Sequence, residues 1–264
     1  MQREMNIVVC VKYVPDAQAD RGFDEADLTT NRESVDGLLS ELDEYAVEEA
    51  LKIAESGEGA VTVITIGPDQ AADAVKKALQ MGADKGVHVN DEAIKGSDAL
   101  ATSLILAEAI KKVGMPDLVL TGMASTDGTM GVVPAMLAER LALPQVTYAS
   151  ELTVDGGTVT ARRDGDTASE TIFGAVPALI SVTDQINEPR YPSFKGIMAA
   201  KKKPVETWTL ADLGIDAGQV GAAGSSTEVI SVAKRPPREQ GEIVTDEGDG
   251  GTKLAEFLAG RKFI

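Results

Sequence analysis

Apolar residues in this chain arrive in two rhythms. Short unbroken blocks occur at 6–11 (NIVVCV), 60–66 (AVTVITI), 86–89 (GVHV), 118–120 (LVL) and 178–183 (ALISVT). Blocks of this length, rich in β-branched residues and bounded by glycine, proline or charge, read as strands buried on both faces. Between them the apolar positions recur every three or four residues, as on one side of a helix. Leu42, Ala46, Ala50 and Ala54 make one such stripe, and Ala71, Ala74, Val75, Ala78 and Leu79 a second. Leu100, Leu104, Ala107 and Ile110 make a third, and Val132, Val133, Met136, Leu137 and Leu141 a fourth.

The punctuation fits these elements. Lys12 and Pro15 close the first strand, and Ser40-Glu41-Leu42-Asp43 reads as a capping box that opens the first helix. Gly57 and Gly59 end that helix, and Gly67-Pro68 stops the second strand ahead of a helix over 69–81. Ser97 opens a third helix, which ends at Gly114 before Pro116. The polar segment 16–36 keeps no period and is expected to be an excursion from the fold. Strands alternating with helices call for an α/β fold, a parallel sheet with helices on both faces. Its ligand crevice lies beyond the carboxyl ends of the strands, which directs Cys10–Lys12, Ile66-Gly67 and Gly122–Gly131 toward one pocket.

The most informative stretch is 118–144, LVLTGMASTDGTMGVVPAMLAERLALP: strand, glycine-rich loop, helix. Unpaired amides at a helix start carry partial positive charge, so such a unit suits a phosphate. It is neither G-x-G-x-x-G nor a P-loop, and an ordinary β–α connection is the competing reading. After Pro144 the character changes. Residues 151–172 alternate β-prone and polar residues around Asp155-Gly156-Gly157 and Asp164-Gly165-Asp166, the mark of antiparallel hairpins. From Asn187 to Glu206, Pro189, Pro192 and Gly196 punctuate a segment holding Tyr191, Phe194, Ile197 and Met198 ahead of Lys201-Lys202-Lys203. It reads either as a solvated lysine run or as a docking segment with an aromatic anchor in a charged rim. From about 214 core material is scarce until a helical pattern returns at 252–264, so this tail lies along a partner or is partly disordered.

Composition narrows the chemistry. The 264 residues, 43% of them apolar, suffice for one core and a smaller extension. Forty-two acids against 25 bases give −17, which argues against nucleic acid or an anionic membrane as main partner. One cysteine excludes an internal disulfide, and with one histidine it excludes a Cys/His metal cluster. Cys10 reads as a small buried hydrophobe and His88 as structural, and no nucleophile elbow or zincin pattern is present. No catalytic residue and no metal site is expected. Neither a signal peptide nor an apolar run of membrane-spanning length is recognised, which with the lone cysteine points to the cytoplasm.

Taken together, these residues resemble the β subunit of electron transfer flavoprotein over nearly the whole chain. The resemblance rests on Val9-Cys10-Val11-Lys12, Ala46-Val47-Glu48-Glu49-Ala50, Gly67-Pro68 and Ala78-Leu79-Gln80-Met81-Gly82-Ala83-Asp84. Ser125-Thr126-Asp127-Gly128, Val133-Pro134, Leu137-Ala138-Glu139 and Val176-Pro177-Ala178 add to it. Most specific are Asn187-Glu188-Pro189-Arg190-Tyr191 and Ile197-Met198-Ala199-Ala200-Lys201-Lys202-Lys203.

The resemblance implies a Rossmann-like, adenine-nucleotide-binding domain over 1–186 with a hairpin insertion at 151–173. A docking loop at 187–206 and a C-terminal arm at 207–264, packed on a partner subunit, would follow. It also implies a heterodimer with an α subunit that holds most of an FAD, while this chain holds a structural AMP. Binding residues carry over to Cys10, Leu42, Asp43, Ile66 and the loop Ala124, Ser125, Thr126, Asp127, Gly128, Thr129, Met130, Gly131, Val132 and Val133. The family often has Gln-x-Gly late in this loop; Gly131-Val132-Val133 here leaves backbone amides for that role. Docking on acyl-CoA dehydrogenases carries over to Tyr191, Phe194, Ile197, Met198 and Lys201, with Phe194 standing where many relatives have leucine. The expected function is that of a soluble bacterial electron carrier, without catalytic side chains of its own, between flavin dehydrogenases and the respiratory chain. Two alternatives stand beside it: a bifurcating homologue with a second FAD in place of AMP, and a free-standing nucleotide-binding stress-type protein.

Overall fold

A computed structural model of the chain describes residues 5–20, 22–57, 59–238, 241 and 243–264; residues 1–4 of the expected first domain lie outside it. The chain forms two units, Met1–Ile230 and Ser231–Ile264. The first is an α/β domain. Its strands are β1 (Met5–Cys10), β2 (Tyr13–Pro15), β3 (Gly22–Phe23), β4 (Thr30–Asn31), β5 (Gly37–Leu39), β6 (Gly59–Ile66), β7 (Lys85–Val89), β8 (Leu118–Gly122), β9 (Gln145–Asp155), β10 (Thr158–Asp164), β11 (Ser169–Ala175), β12 (Ala178–Val182) and β13 (Val205–Trp208). Its helices are α1 (Glu41–Ser56), α2 (Ala72–Met81), α3 (Ala99–Val113), α4 (Val133–Leu141), α5 (Phe194–Ala200) and α6 (Gly221–Gly224).

Among the described residues the main sheet has nine strands in the order β11-β10-β9-β12-β8-β1-β6-β7-β13. From β9 to β13 neighbours run parallel, while β10 and β11 add an antiparallel hairpin at one edge. The chain passes from β1 to β6 and β7, then crosses back through α3 to β8 on the other side of β1. That reversal opens a crevice at the carboxyl ends of β1 and β8. Two buried clusters sandwich the sheet. Val9, Val63 and Leu120 pack with α1 and α2, and Val8, Ile64 and Val119 pack with α3 and α4. Alternation along each strand sends successive side chains to opposite clusters, so these strands are apolar throughout.

The structure refines several expectations. Ser40 is the residue before α1, but no capping box forms, because its N–H donates to the Lys12 carbonyl and its side chain caps nothing. The third helix is capped by Asp98, whose carboxylate accepts the Ala101 N–H at 2.9 Å, and not by Ser97. Leu100 is exposed and Leu104 half-buried, so the inner face of α3 is carried by Ala101, Ile105, Ala109 and Ile110 beside Ala107. The excursion 16–36 contains the small β3–β4 pair, and the segments on either side of it pair as β2 and β5. The segments 187–206 and 207–264 carry regular structure of their own. Residues 194–200 are helical, β13 joins the sheet beside β7, and Trp208, Leu210, Ile215 and Val220 are buried in the α3–α4 cluster. The first unit therefore reaches Ile230. Apolar residues at irregular spacing supply this late core material, without a period that signals it.

The second unit carries helix α7 (Gly250–Gly260), preceded by a turn in which the Asp246 carboxylate accepts the N–H groups of Gly248 and Gly250. Leu254, Phe257, Phe263 and Ile264 in it are exposed. No described helix is long and apolar enough to cross a membrane.

Candidate functional site: the crevice at the strand ends and the segment 187–203

Four segments meet at the carboxyl ends of β1 and β8. The Lys12 N–H donates to the Asp43 carboxylate at 2.8 Å, and the Lys12 carbonyl accepts from Ser40 N–H at 2.9 Å, which stitches the end of β1 to the start of α1. Gly122 ends β8 against the same helix start. A Cβ there would lie 2.5 Å from Asp43 Oδ1 and 2.8 Å from the Leu42 carbonyl, so only glycine permits this approach. Burial pushes the Asp43 carboxyl up to about 7, against the pull of the Lys12 N–H and charge and the Gly122 N–H.

The loop from Met123 to Val132 is folded around Asp127. The side chain of Asp127 is fully buried, with Lys12 Nζ at 2.8 Å on one oxygen and Arg32 Nε at 2.7 Å on the other. Burial opposes its charge, but Lys12 and Arg32 overcome that and hold its carboxyl far below the usual carboxylate range. Asp127 also takes its neighbour Gly128 N–H, and Ser125 accepts the N–H groups of Gly128 and Thr129. Ala124, Thr126 and Gly131 are half-buried, while Gly128, Thr129 and Met130 face solvent. Thr129 and Gly131 take left-handed backbone angles. Val132 then leads into α4 with no side-chain cap, Val133 is its first residue and Pro134 follows. Pro134 has no N–H and the Met136 N–H already bonds to the Val132 carbonyl, so the amides of Val133 and Ala135 are the ones this helix start can offer an anion.

The remaining carried-over residues lie at the same edge of the sheet. Cys10 and Ile66, on neighbouring strands, face the α3–α4 cluster, and Leu42 is half-buried beside Gly122. Burial, then the charge of Asp43, push the Cys10 thiol up to about 12, so it behaves as a neutral hydrophobe. His88 is buried, with Nε2 2.9 Å from the Gly67 carbonyl. Among the described residues no group of three or more His, Cys, Asp or Glu could hold a metal.

Sequence reasoning directed Lys12 to the pocket but missed its pairing with Asp127, 115 residues away, and missed Arg32, 95 residues from the same partner. It also missed Tyr148, a left-handed residue at a bulge in β9 whose hydroxyl stands 2.6 Å from where a Gly131 Cβ would lie. Two further groups bear on a ligand. The hydroxyls of Ser40 and Thr121 are buried and have no hydrogen-bond partner among the described residues. Thr121 sits in register between Cys10 and Ser181, near the carboxyl ends of their strands. Such orphaned groups cost free energy unless a ligand or water pairs with them. Free amides at α4, a glycine-rich loop whose buried acid is already neutralised, and two unpartnered hydroxyls fit a nucleotide.

The segment 187–203 is built the opposite way. Arg190 reaches α1, with Nε and Nη2 2.7 and 3.0 Å from the two oxygens of Glu48. It also makes a paired contact with Glu55. Asn187 Nδ2 donates to the Tyr45 carbonyl and to Glu49, both at 3.0 Å. Ser193 caps α5, and Tyr191 and Phe194 stand 92% and 80% exposed, with Met198 and Lys201 exposed and Ile197 at the edge of exposure.

Sheet order, crevice and loop define an α/β protein with a ligand crevice at the reversal of its sheet order and an apolar, aromatic-tipped projection. Comparison with known proteins makes this specific. The electron transfer flavoprotein domain model matches residues 27–213. The chain is 46% identical to the electron transfer flavoprotein subunit beta of Mycobacterium leprae, covering 98% of this chain and 99% of that protein. It is 39% identical to the same subunit of Clostridium acetobutylicum, over 91% and 92%. It is 36% identical, over 91% and 92%, to the caffeyl-CoA reductase-Etf complex subunit CarD of Acetobacterium woodii. The chain belongs to the electron transfer flavoprotein family, in its beta-subunit branch. Membership implies electron transfer as the role, association with a flavin, and an alpha subunit as partner.

Proposed function

We propose that this chain is the β subunit of a heterodimeric carrier in a bacterial cytoplasm. The carrier takes electrons from acyl-CoA and other flavin dehydrogenases and passes them toward the respiratory chain. The observation that carries this reading is the projection at 191–198, two aromatic side chains held in water on a chain of net charge −17. Exposed apolar groups of this size on an ordered element mark a docking surface.

FAD, held mostly by the α subunit, supplies the redox chemistry when bound. This chain's residues bind and orient. The loop amides of Ala124–Val133 other than those of Gly128 and Thr129, with the start of α4, would receive the phosphate of an AMP, and the hydroxyls of Ser40 and Thr121 would pair with its polar edges. Lys12 and Arg32 neutralise Asp127, so that the loop does not repel an anion. Cys10, Ile66 and Leu42 supply the apolar wall.

The test is electron transfer by the co-expressed α–β complex. An acyl-CoA dehydrogenase with its acyl-CoA bleaches the bound flavin, and Phe194→Ala slows this about tenfold at low dehydrogenase concentration while FAD stays bound. Equal rates for Phe194→Ala and the unsubstituted complex would remove the docking assignment. A second reading, a bifurcating subunit with an FAD in the crevice, is kept because the chain is also 36% identical to a subunit named for a complex of Etf with a reductase, caffeyl-CoA reductase. The nucleotides released on denaturation separate the two.

A further inference from the structure

Helix α5 has seven residues, too few to persist in water without help. Its two flanks are fastened at different places on the domain. On the N-terminal side the Arg190 guanidinium grips Glu48 and Glu55, which stand two turns apart on one face of α1, and Asn187 binds the α1 backbone beside them. On the C-terminal side Lys203 Nζ donates to the carbonyls of Leu79 and Gly82, at 3.1 and 2.8 Å, at the end of α2. Those carbonyls belong to a helix C-terminus, where a cation is favoured. Burial lowers the Lys203 pKa, against the charge of Asp84, in keeping with a lysine drawn into the structure. Between the two flanks α5 lies directly on α2. A Cβ on Gly196 would come within 2.4 Å of the Gln80 carbonyl, so the absence of a side chain sets how closely the helices approach.

The lysine run is therefore not uniform. Lys201 and Lys202 are exposed, whereas Lys203 is committed to the α2 terminus.

We infer that Arg190 and Lys203 are positioning residues: they fasten the two ends of the segment 191–202, so that Tyr191, Phe194 and Met198 meet a partner from a fixed helix. The inference deepens the docking reading above and rests on it. Fixing the segment beforehand removes an ordering cost that a mobile loop pays on every encounter. The exposed Lys195, Lys201 and Lys202 around the aromatic tip fit a partner with an apolar pocket and an acidic rim.

The experiment uses the α–β complex carrying Lys203→Met, Lys203→Arg or Arg190→Lys, with an acyl-CoA dehydrogenase as electron donor. Two quantities are read: hydrogen exchange of the α5 amides, and KM and kcat for the dehydrogenase. Lys203→Met and Arg190→Lys are expected to speed α5 exchange and raise KM about tenfold at unchanged kcat and FAD content. Lys203→Arg keeps a donor for the carbonyls and restores both readings. Arg190→Lys keeps the charge facing Glu48, so the fold survives and only the forked grip is lost. Unchanged exchange in both variants overturns the inference, as does a raised KM with α5 still protected, since Lys203 or Arg190 would then touch the partner directly. Phe194→Ala tests the underlying reading separately. An unchanged KM there removes docking at this segment, whatever the exchange of α5 shows.

Discussion

The crevice at the strand ends and the segment 187–203 use the same materials for opposite ends. In the crevice, Asp127 is enclosed by Lys12 and Arg32, and the groups left over are backbone amides and two unpartnered hydroxyls. At 187–203, Arg190 and Lys203 turn inward to α1 and α2, and the groups left over are aromatic rings in water. Each network consumes its own charges. What it leaves unsatisfied is polar in one place and apolar in the other, and that remainder is what a ligand or a partner meets.

This contrast can be broken from either side. The largest effect is expected from Arg190→Ala, which leaves the buried Glu48 without its cation and destabilises the fold by about 3 kcal/mol in denaturant unfolding of the complex. A loss under about 1 kcal/mol would mean that the clamp is ornamental. Next is Asp127→Ala, which removes charge-assisted bonds to Lys12 and Arg32. Both cations are part-exposed and return to water, so about 2 kcal/mol is expected, together with loss of AMP from the purified complex. Retention of AMP at full occupancy would detach the loop from nucleotide binding.

The two acids of the crevice give opposite pH responses. Asp127 has a folded pKa below its unfolded one. Its contribution is present above the ordinary carboxylate range and fades as pH falls through and below it. Asp43 has a folded pKa raised from 3.8 to about 7, so its protonated form favours the fold and stability is lost as pH rises through that window. Thermal melts from pH 4 to 8 are expected to show a decline that Asp43→Asn flattens; a decline of equal slope in the variant would assign it elsewhere. The smallest effect is reserved for Thr121→Val. Removing an unpartnered hydroxyl changes stability by less than about 0.5 kcal/mol without nucleotide. Weaker retention of AMP is expected alongside, and a large loss of stability would show that the hydroxyl is paired within the fold.

The parallel core was legible because strands buried on both faces must be apolar throughout, as at Val61, Val63 and Ile64 or Leu118, Val119 and Leu120. Local chemistry was read less surely. Ser40 looked like a cap, yet Lys12, which follows β1, takes its N–H. Leu100 matched the helical period and still faces solvent, because the buried stripe of α3 runs one position further on, through Ala101, Ile105 and Ala109. The site is legible only in part. The glycine loop announces itself, but pairs such as Lys12 with Asp127 or Arg190 with Glu48 join residues more than a hundred positions apart and leave no periodic trace. Lys203 was hidden inside a lysine run, where composition cannot tell a solvated cation from one capping a helix.

The proposal that the crevice holds a structural AMP, distinct from the redox-active flavin, carries the account. The most direct measurement is the nucleotide content of the co-purified α–β complex after denaturation. One FAD and one AMP per heterodimer is the predicted result. Two FAD with no AMP, or one FAD with nothing in the crevice, would contradict it.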